Sequence, residues 1–133
     1  MILVTITVSQ FQTAKKKGND VARKSDLNGV SKALQMYFAD YGVLPEVSAL
    51  NWGEEFKDGD YVYMKVLPRE NKTDFPAYCY KTDTEKKKYA LFAKLENTAD
   101  KECEGHSYTC SENTYCFAYV SPNTSLYSNG DLQ

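Results

Sequence analysis

Residues 27–45 read LNGVSKALQMYFADYGVLP, and the pattern within them decides the fold. Leu27, Val30, Leu34, Phe38 and Tyr41 recur at steps of three or four, while Ala33 and Tyr37 widen the stripe. That spacing predicts an amphipathic helix whose core face is Leu27, Val30, Leu34, Phe38 and Tyr41. Gly42 is suited to a left-handed C-cap, and Pro45 follows where helices have commonly ended.

Downstream, Glu46 to Asp60 reads as loop, with Trp52-Gly53 and Asp58-Gly59-Asp60 as turn chemistry. Tyr61 to Val66 reads as a strand or as a short turn leading into Leu67-Pro68. Ala77 to Lys81 and Tyr89 to Leu95 have period two, with Tyr89, Leu91, Ala93 and Leu95 on one face. Thr82 to Lys88 between them is a polar connection of hairpin type. Tyr115 to Val120 is a further candidate strand, and Ser128-Asn129-Gly130-Asp131 a turn near the end. A long helix followed by short antiparallel strands is an α+β pattern, the helix stripe covering one face of a small sheet.

Upstream the stripe fails. Phe11, Ala14, Gly18 and Val21 share one side, but their phase does not connect to Leu27, and Gly18-Asn19-Asp20 is weak helix sequence. A helix whose first half lacks a partner in its own domain must fray or find one in another chain. The division falls near residue 25: residues 1–25 are expected to protrude and residues 26–133 to form the globular domain. The start, Ile2 to Val8, is apolar but far short of the roughly 20 residues that cross a bilayer. Its order is not that of a secretory signal peptide. It reads as part of a longer hydrophobic segment.

The chain has 133 residues, 42% of them apolar, and a formal net charge of −2, which fits one compact domain. Through Lys32 it carries Lys15, Lys16, Lys17, Arg23, Lys24 and Lys32 against Asp20 and Asp26, or +4, leaving −6 for the rest. A basic arm on an acidic body can serve nucleic acid or anionic lipid. Without interleaved aromatics it reads better as a solvated helix face, or as complementarity between copies of the same protein.

Cys79, Cys103, Cys110 and Cys116 all lie in the C-terminal part and contain no C-x-x-C pair, so two disulfides are expected rather than a metal site. Three pairings are open, and an oxidising compartment is implied. No catalytic constellation can be assembled. His106 is the one histidine, without a nucleophile in context. There is no phosphate loop, and Asp58-Gly59-Asp60 is far short of a calcium loop. The expectation is a protein that is not an enzyme and needs no cofactor or metal. Trp52 reads as packing under its loop, and Asn71-Lys72-Thr73 and Asn123-Thr124-Ser125 match the glycosylation pattern.

Several of these residues together resemble a known family. Ile2 to Phe11 is similar to the second half of the hydrophobic segment of type IV pilins and type II secretion pseudopilins. Asp20 to Pro45 resembles the rest of their long helix: an Arg/Lys-rich stretch, the Asp26-Leu27 pair, the Ala33-Leu34-x-x-Tyr37 core stripe and the Tyr41-Gly42-x-x-Pro45 exit. Tyr63 to Pro68 is similar to their Leu-Pro element, and Tyr78 to Tyr80 and Tyr89 to Leu95 to their first two strands. The likeness is good over about the first 45 residues, loose over the next 50 and weak from Cys103 onward. It implies a subunit of a bacterial surface or periplasmic filament, held in the inner membrane before assembly, whose N-terminal helix halves pack together through Phe11, Ala14 and Val21. Partners would be copies of itself and the pilus or secretion machinery, and its location the cell surface or the periplasmic face of the inner membrane. Ser9 stands where many relatives have Pro, the acidic residue near the mature N-terminus is missing, and Ser121 to Gln133 has no counterpart of the pseudopilin calcium site. The competing expectation is a free secreted binding module that uses Trp52 and the Tyr-rich sheet as its recognition face.

Overall fold

The absence of proline before Pro45 lets one helix run without interruption. In the computed structural model, which describes residues 2–122 and 124–133 and their side chains from Val8 onward, helix α1 spans Ile2–Tyr41. Gly42 ends it as expected: its φ is +71°, and its N–H donates to the Phe38 carbonyl at 2.7 Å. A short 3-10 turn at Val47–Ala49 follows. Seven strands come next: β1 Phe56–Asp58, β2 Tyr61–Met64, β3 Cys79–Thr82, β4 Tyr89–Ala93, β5 Tyr108–Cys110, β6 Asn113–Tyr115 and β7 Phe117–Val120. All their pairings are antiparallel: the hairpins β1-β2 and β5-β6, and a central sheet in the order β3-β4-β7. The protein is thus α+β, a long helix packed on small antiparallel sheets.

Leu27, Val30, Ala33 and Leu34 of α1 are buried on one face of the central sheet, against Tyr80, Tyr89, Leu91, Ala93, Leu95 and Phe117. Burying each of the leucine and valine side chains contributes about 1.5–3 kcal/mol. Ser31 and the Tyr89 hydroxyl hydrogen-bond across this layer, so the buried Tyr89 hydroxyl is satisfied.

Two members of the expected stripe fall outside this core. Phe38 is 36% and Tyr41 51% exposed. The last turns of α1 run beside the β1-β2 hairpin and the β3-β4 connection. Tyr37 takes the inward position, against Phe56 and Tyr63. Phe38 lies instead under the Lys87 ammonium, and Tyr41 donates from its hydroxyl to Asp58.

The stretch expected to be loop before Asp60 also contains β1, which pairs with β2 around Gly59, φ +59°. The opposite face of the central sheet is covered as well. Ala90 and Phe92 point away from α1 into a second cluster with Cys79, Cys110 and Tyr115. Every residue of β4 is therefore buried, and the sheet is an inner layer between α1 and the β5-β6 hairpin. Tyr78, Tyr80, Tyr89 and Tyr115 are buried in these layers.

Candidate functional site

From Val8 to Asn19 every residue of α1 is exposed. Phe11 is 69% and Val21 66% exposed, and Ala14 is open as well. At 100° per residue, Phe11, Ala14 and Val21 lie about 120–160° round the helix from Leu27, on the side turned away from the body. The three residues expected to serve assembly thus share one free face. Gly18, on the same face, has no atom within 4 Å of where a Cβ would stand.

The body grips the helix from Asn19 onward, and it does so with charge. Arg23 is 6% exposed and sits among three carboxylates. Its Nε and Nη2 donate to the two oxygens of Glu70 at 2.7 and 2.8 Å, and its Nη1 donates to Asp20 at 2.9 Å and Glu96 at 3.2 Å. Asp20 is 2% exposed and also accepts the backbone N–H groups of Glu96 and Asn97, both at 2.8 Å. Asn19 donates to Glu96 at 2.9 Å. The Arg23 guanidinium lies 5.1 Å from the centre of the Phe75 ring. On the next residue, the Lys24 ammonium donates to Asp100 at 2.8 Å and Glu102 at 2.9 Å. These contacts tie α1 to the loop carrying Glu70 and to the segment after β4. The basic arm is therefore divided: Arg23 and Lys24 are used within the chain, while Lys15, Lys16, Lys17 and Lys32 are exposed.

Hydrogen bonds to Glu70, then to Glu96 and Asp20, hold the Arg23 pKa above its usual value. Desolvation works against Glu96, but hydrogen bonds from Asn19 and Arg23 outweigh it and lower the Glu96 pKa. The Lys24 hydrogen bond lowers that of Asp100. A carboxylate with a depressed folded-state pKa contributes stability that is present above its unfolded value and is lost as pH falls through the folded one. The chemical-denaturation midpoint is accordingly expected to fall between about pH 5 and pH 3, and the double variant Glu96→Gln, Asp100→Asn to lose part of that dependence. A wild-type midpoint that stays flat over this range contradicts a charged clamp.

The sequence did not point to this clamp. Its one local signal is the Asp20–Arg23 pair, three residues apart where the apolar stripe breaks. Glu70 and Glu96 stand in unremarkable polar loops.

The four cysteines form Cys79–Cys110 and Cys103–Cys116, and none is free. Such bridges persist in oxidising compartments outside the cytoplasm. Trp52 packs edge-on to Tyr78, with ring centroids 5.7 Å apart. His106 is exposed and stacks on Tyr108. Asn71 is exposed in its loop, and Asn123 lies outside the described residues. Among the described residues no helix is long and apolar enough to cross a membrane. Comparison of the chain with protein-family models, with curated proteins and with solved structures returns no significant match.

Proposed function

We propose that this chain is a structural subunit of a filament of the type IV pilus or pseudopilus kind, assembling by packing of N-terminal helix halves. The observation that carries the reading is the free half of α1. Every residue from Val8 to Gly18 is exposed, Val8 at 51% and Phe11 at 69% among them, and an apolar pair left open on one helix face is suited to contact with another chain. The charged clamp adds support. It fixes the protruding half to the body with its angle set, as a subunit in a regular array requires. Copies of the same protein and an assembly machinery are the partners. The inner membrane is its place before assembly, and the cell surface or periplasm afterwards. The role is architectural, not catalytic.

The test is expression of the protein from its own gene in its own host, followed by shearing and fractionation. Filaments, or co-purification with a pilus or secretion system, are the expected result. Because Phe11 is 69% and Val21 66% exposed, Phe11→Asp and Val21→Asp should each change the unfolding free energy by less than about 0.5 kcal/mol. They should nevertheless abolish incorporation. A protein that stays monomeric and membrane-free in its host, or variants that assemble normally, removes the reading.

A further inference from the structure

We propose that the two ends of α1 carry complementary self-docking surfaces, the Lys15-Lys16-Lys17 run of one copy seating against the acidic aromatic tip of a second copy. The tip is where the end of α1 meets the β1-β2 turn, and it brings together Asp40, Asp58, Asp60, Tyr41 and Tyr61. The proposal deepens the filament reading and rests on it for the repetition of the contact along an axis.

All three lysines are exposed, and among the described residues none forms an ion pair with an acid of its own chain. The nearer cations of the same helix, Arg23 and Lys24, are already matched by the clamp. At the far end the imbalance is reversed. Asp40 accepts from the Tyr63 hydroxyl at 2.7 Å and Asp58 from the Tyr41 hydroxyl. Neither they nor Asp60 pairs with a cation among the described residues. Lys57, the cation within the same hairpin, is matched by Glu55 at 3.4 Å. Beside these carboxylates Tyr41 and Tyr61 stand half exposed. An apolar centre with a charged rim is the anatomy of a protein contact.

The occupant follows from geometry and sign. From Lys16 to Tyr41 one continuous helix rises about 38 Å, so the run and the tip of one molecule cannot meet. Two runs repel each other, as do two tips, which excludes a symmetric pairing of like ends. What remains is a contact between unlike ends, which either closes as an antiparallel two-fold pair or repeats head to tail, and the filament reading on which the proposal rests selects the second. A heterologous contact of that kind does not close on itself unless its rotation happens to, and it then propagates. The partner is a second copy of this chain, displaced by about the same 38 Å where the helices run parallel.

Because the two surfaces are that far apart, any zero-length carbodiimide cross-link between Lys15–Lys17 and Asp58 or Asp60 is necessarily intermolecular. The purified full chain is treated at low salt and again at about 1 M salt, where screening shortens to about 3 Å, and the linked peptides are mapped. The expected result is a lysine-run to tip cross-link that disappears at high salt. Reversal at one end (Asp58→Lys with Asp60→Lys, or Lys15→Glu with Lys16→Glu and Lys17→Glu) should weaken self-association in sedimentation roughly tenfold, and combining both should restore it. The proposal is overturned if the cross-link is missing in the wild type, or if neither reversal changes association. It is also overturned if an oligonucleotide binds the lysine run while the tip reversal changes nothing. Loss of filaments in Phe11→Asp with indifference to both charge reversals removes this contact and leaves the helix-packing reading. Sensitivity to the reversals with indifference to Phe11→Asp does the opposite.

Discussion

Replacing Arg23 with alanine is expected to lower the unfolding free energy by about 3–5 kcal/mol, the range seen when one member of a buried ionic group is removed. The reason lies in what stays behind. Asp20 keeps the two backbone N–H groups of Glu96 and Asn97. Glu70 loses both arms of the guanidinium fork and keeps only the Lys72 N–H, at 3.1 Å, on one of its oxygens. With its side chain 4% exposed, it must then take up a proton or pull its loop into water. Arg23→Lys should cost less, about 1–3 kcal/mol, because a lysine retains the charge without the planar fork. A double variant, Arg23→Met with Glu70→Met, should be less damaged than Arg23→Ala alone, since it leaves fewer orphaned carboxylates. Chemical denaturation of the three variants is the measurement. A loss below about 1 kcal/mol for Arg23→Ala means that water already serves these carboxylates.

Removing the Cys79–Cys110 bridge by Cys79→Ala with Cys110→Ala is expected to cost about 3–4 kcal/mol, from the 31-residue separation it closes. Its place in the architecture makes the loss specific. The cluster behind the central sheet is small: Cys79, Ala90, Phe92, Cys110 and Tyr115 are its buried members, so the bridge itself supplies two of the five. Without it the β5-β6 hairpin is held by Tyr108 and Tyr115 against Phe92, by the Tyr115 hydroxyl on the Ala77 carbonyl and by the Thr109 N–H on Asn129. The expected result is a denaturation midpoint well below wild type and increased binding of a hydrophobic dye as the hairpin lifts from Phe92. The contacts of Leu27, Val30 and Leu34 on the other face should persist, visible as retained amide protection in the middle of α1. Equal loss of protection on both faces would mean that the two layers unfold as one unit.

The helix and its stop could be read because their signals are local. Leu27, Val30 and Leu34 repeat at helical spacing, and Gly42 and Pro45 stand where the chain must turn. Extending the same stripe to Phe38 and Tyr41 failed, because periodicity reports which way a side chain faces and not whether anything lies opposite it. β4 held a clue to a second covered face in the unbroken run Ala90-Leu91-Phe92-Ala93, since strands buried on both sides lose strict alternation. The β5-β6 hairpin gave no such clue: Thr109, Asn113 and Thr114 are exposed, and cysteine and tyrosine do its packing. The clamp was hardest to see. Arg23 meets Glu70 and Glu96 across separations of 47 and 73 residues, and only the folded chain brings those charges together.

The two disulfides overlap along the chain, the first cysteine joined to the third and the second to the fourth. A chain oxidised in order of emergence would join Cys79 to Cys103 and Cys110 to Cys116, since the nearest thiols close the shortest loops. Neither of those pairs is native. Reaching the native pairing from there takes thiol–disulfide exchange, a slow reaction unless it is catalysed. Where the nearest thiols pair first, catalysed exchange shortens this protein's route to its folded state, and an oxidant that only forms bonds does not.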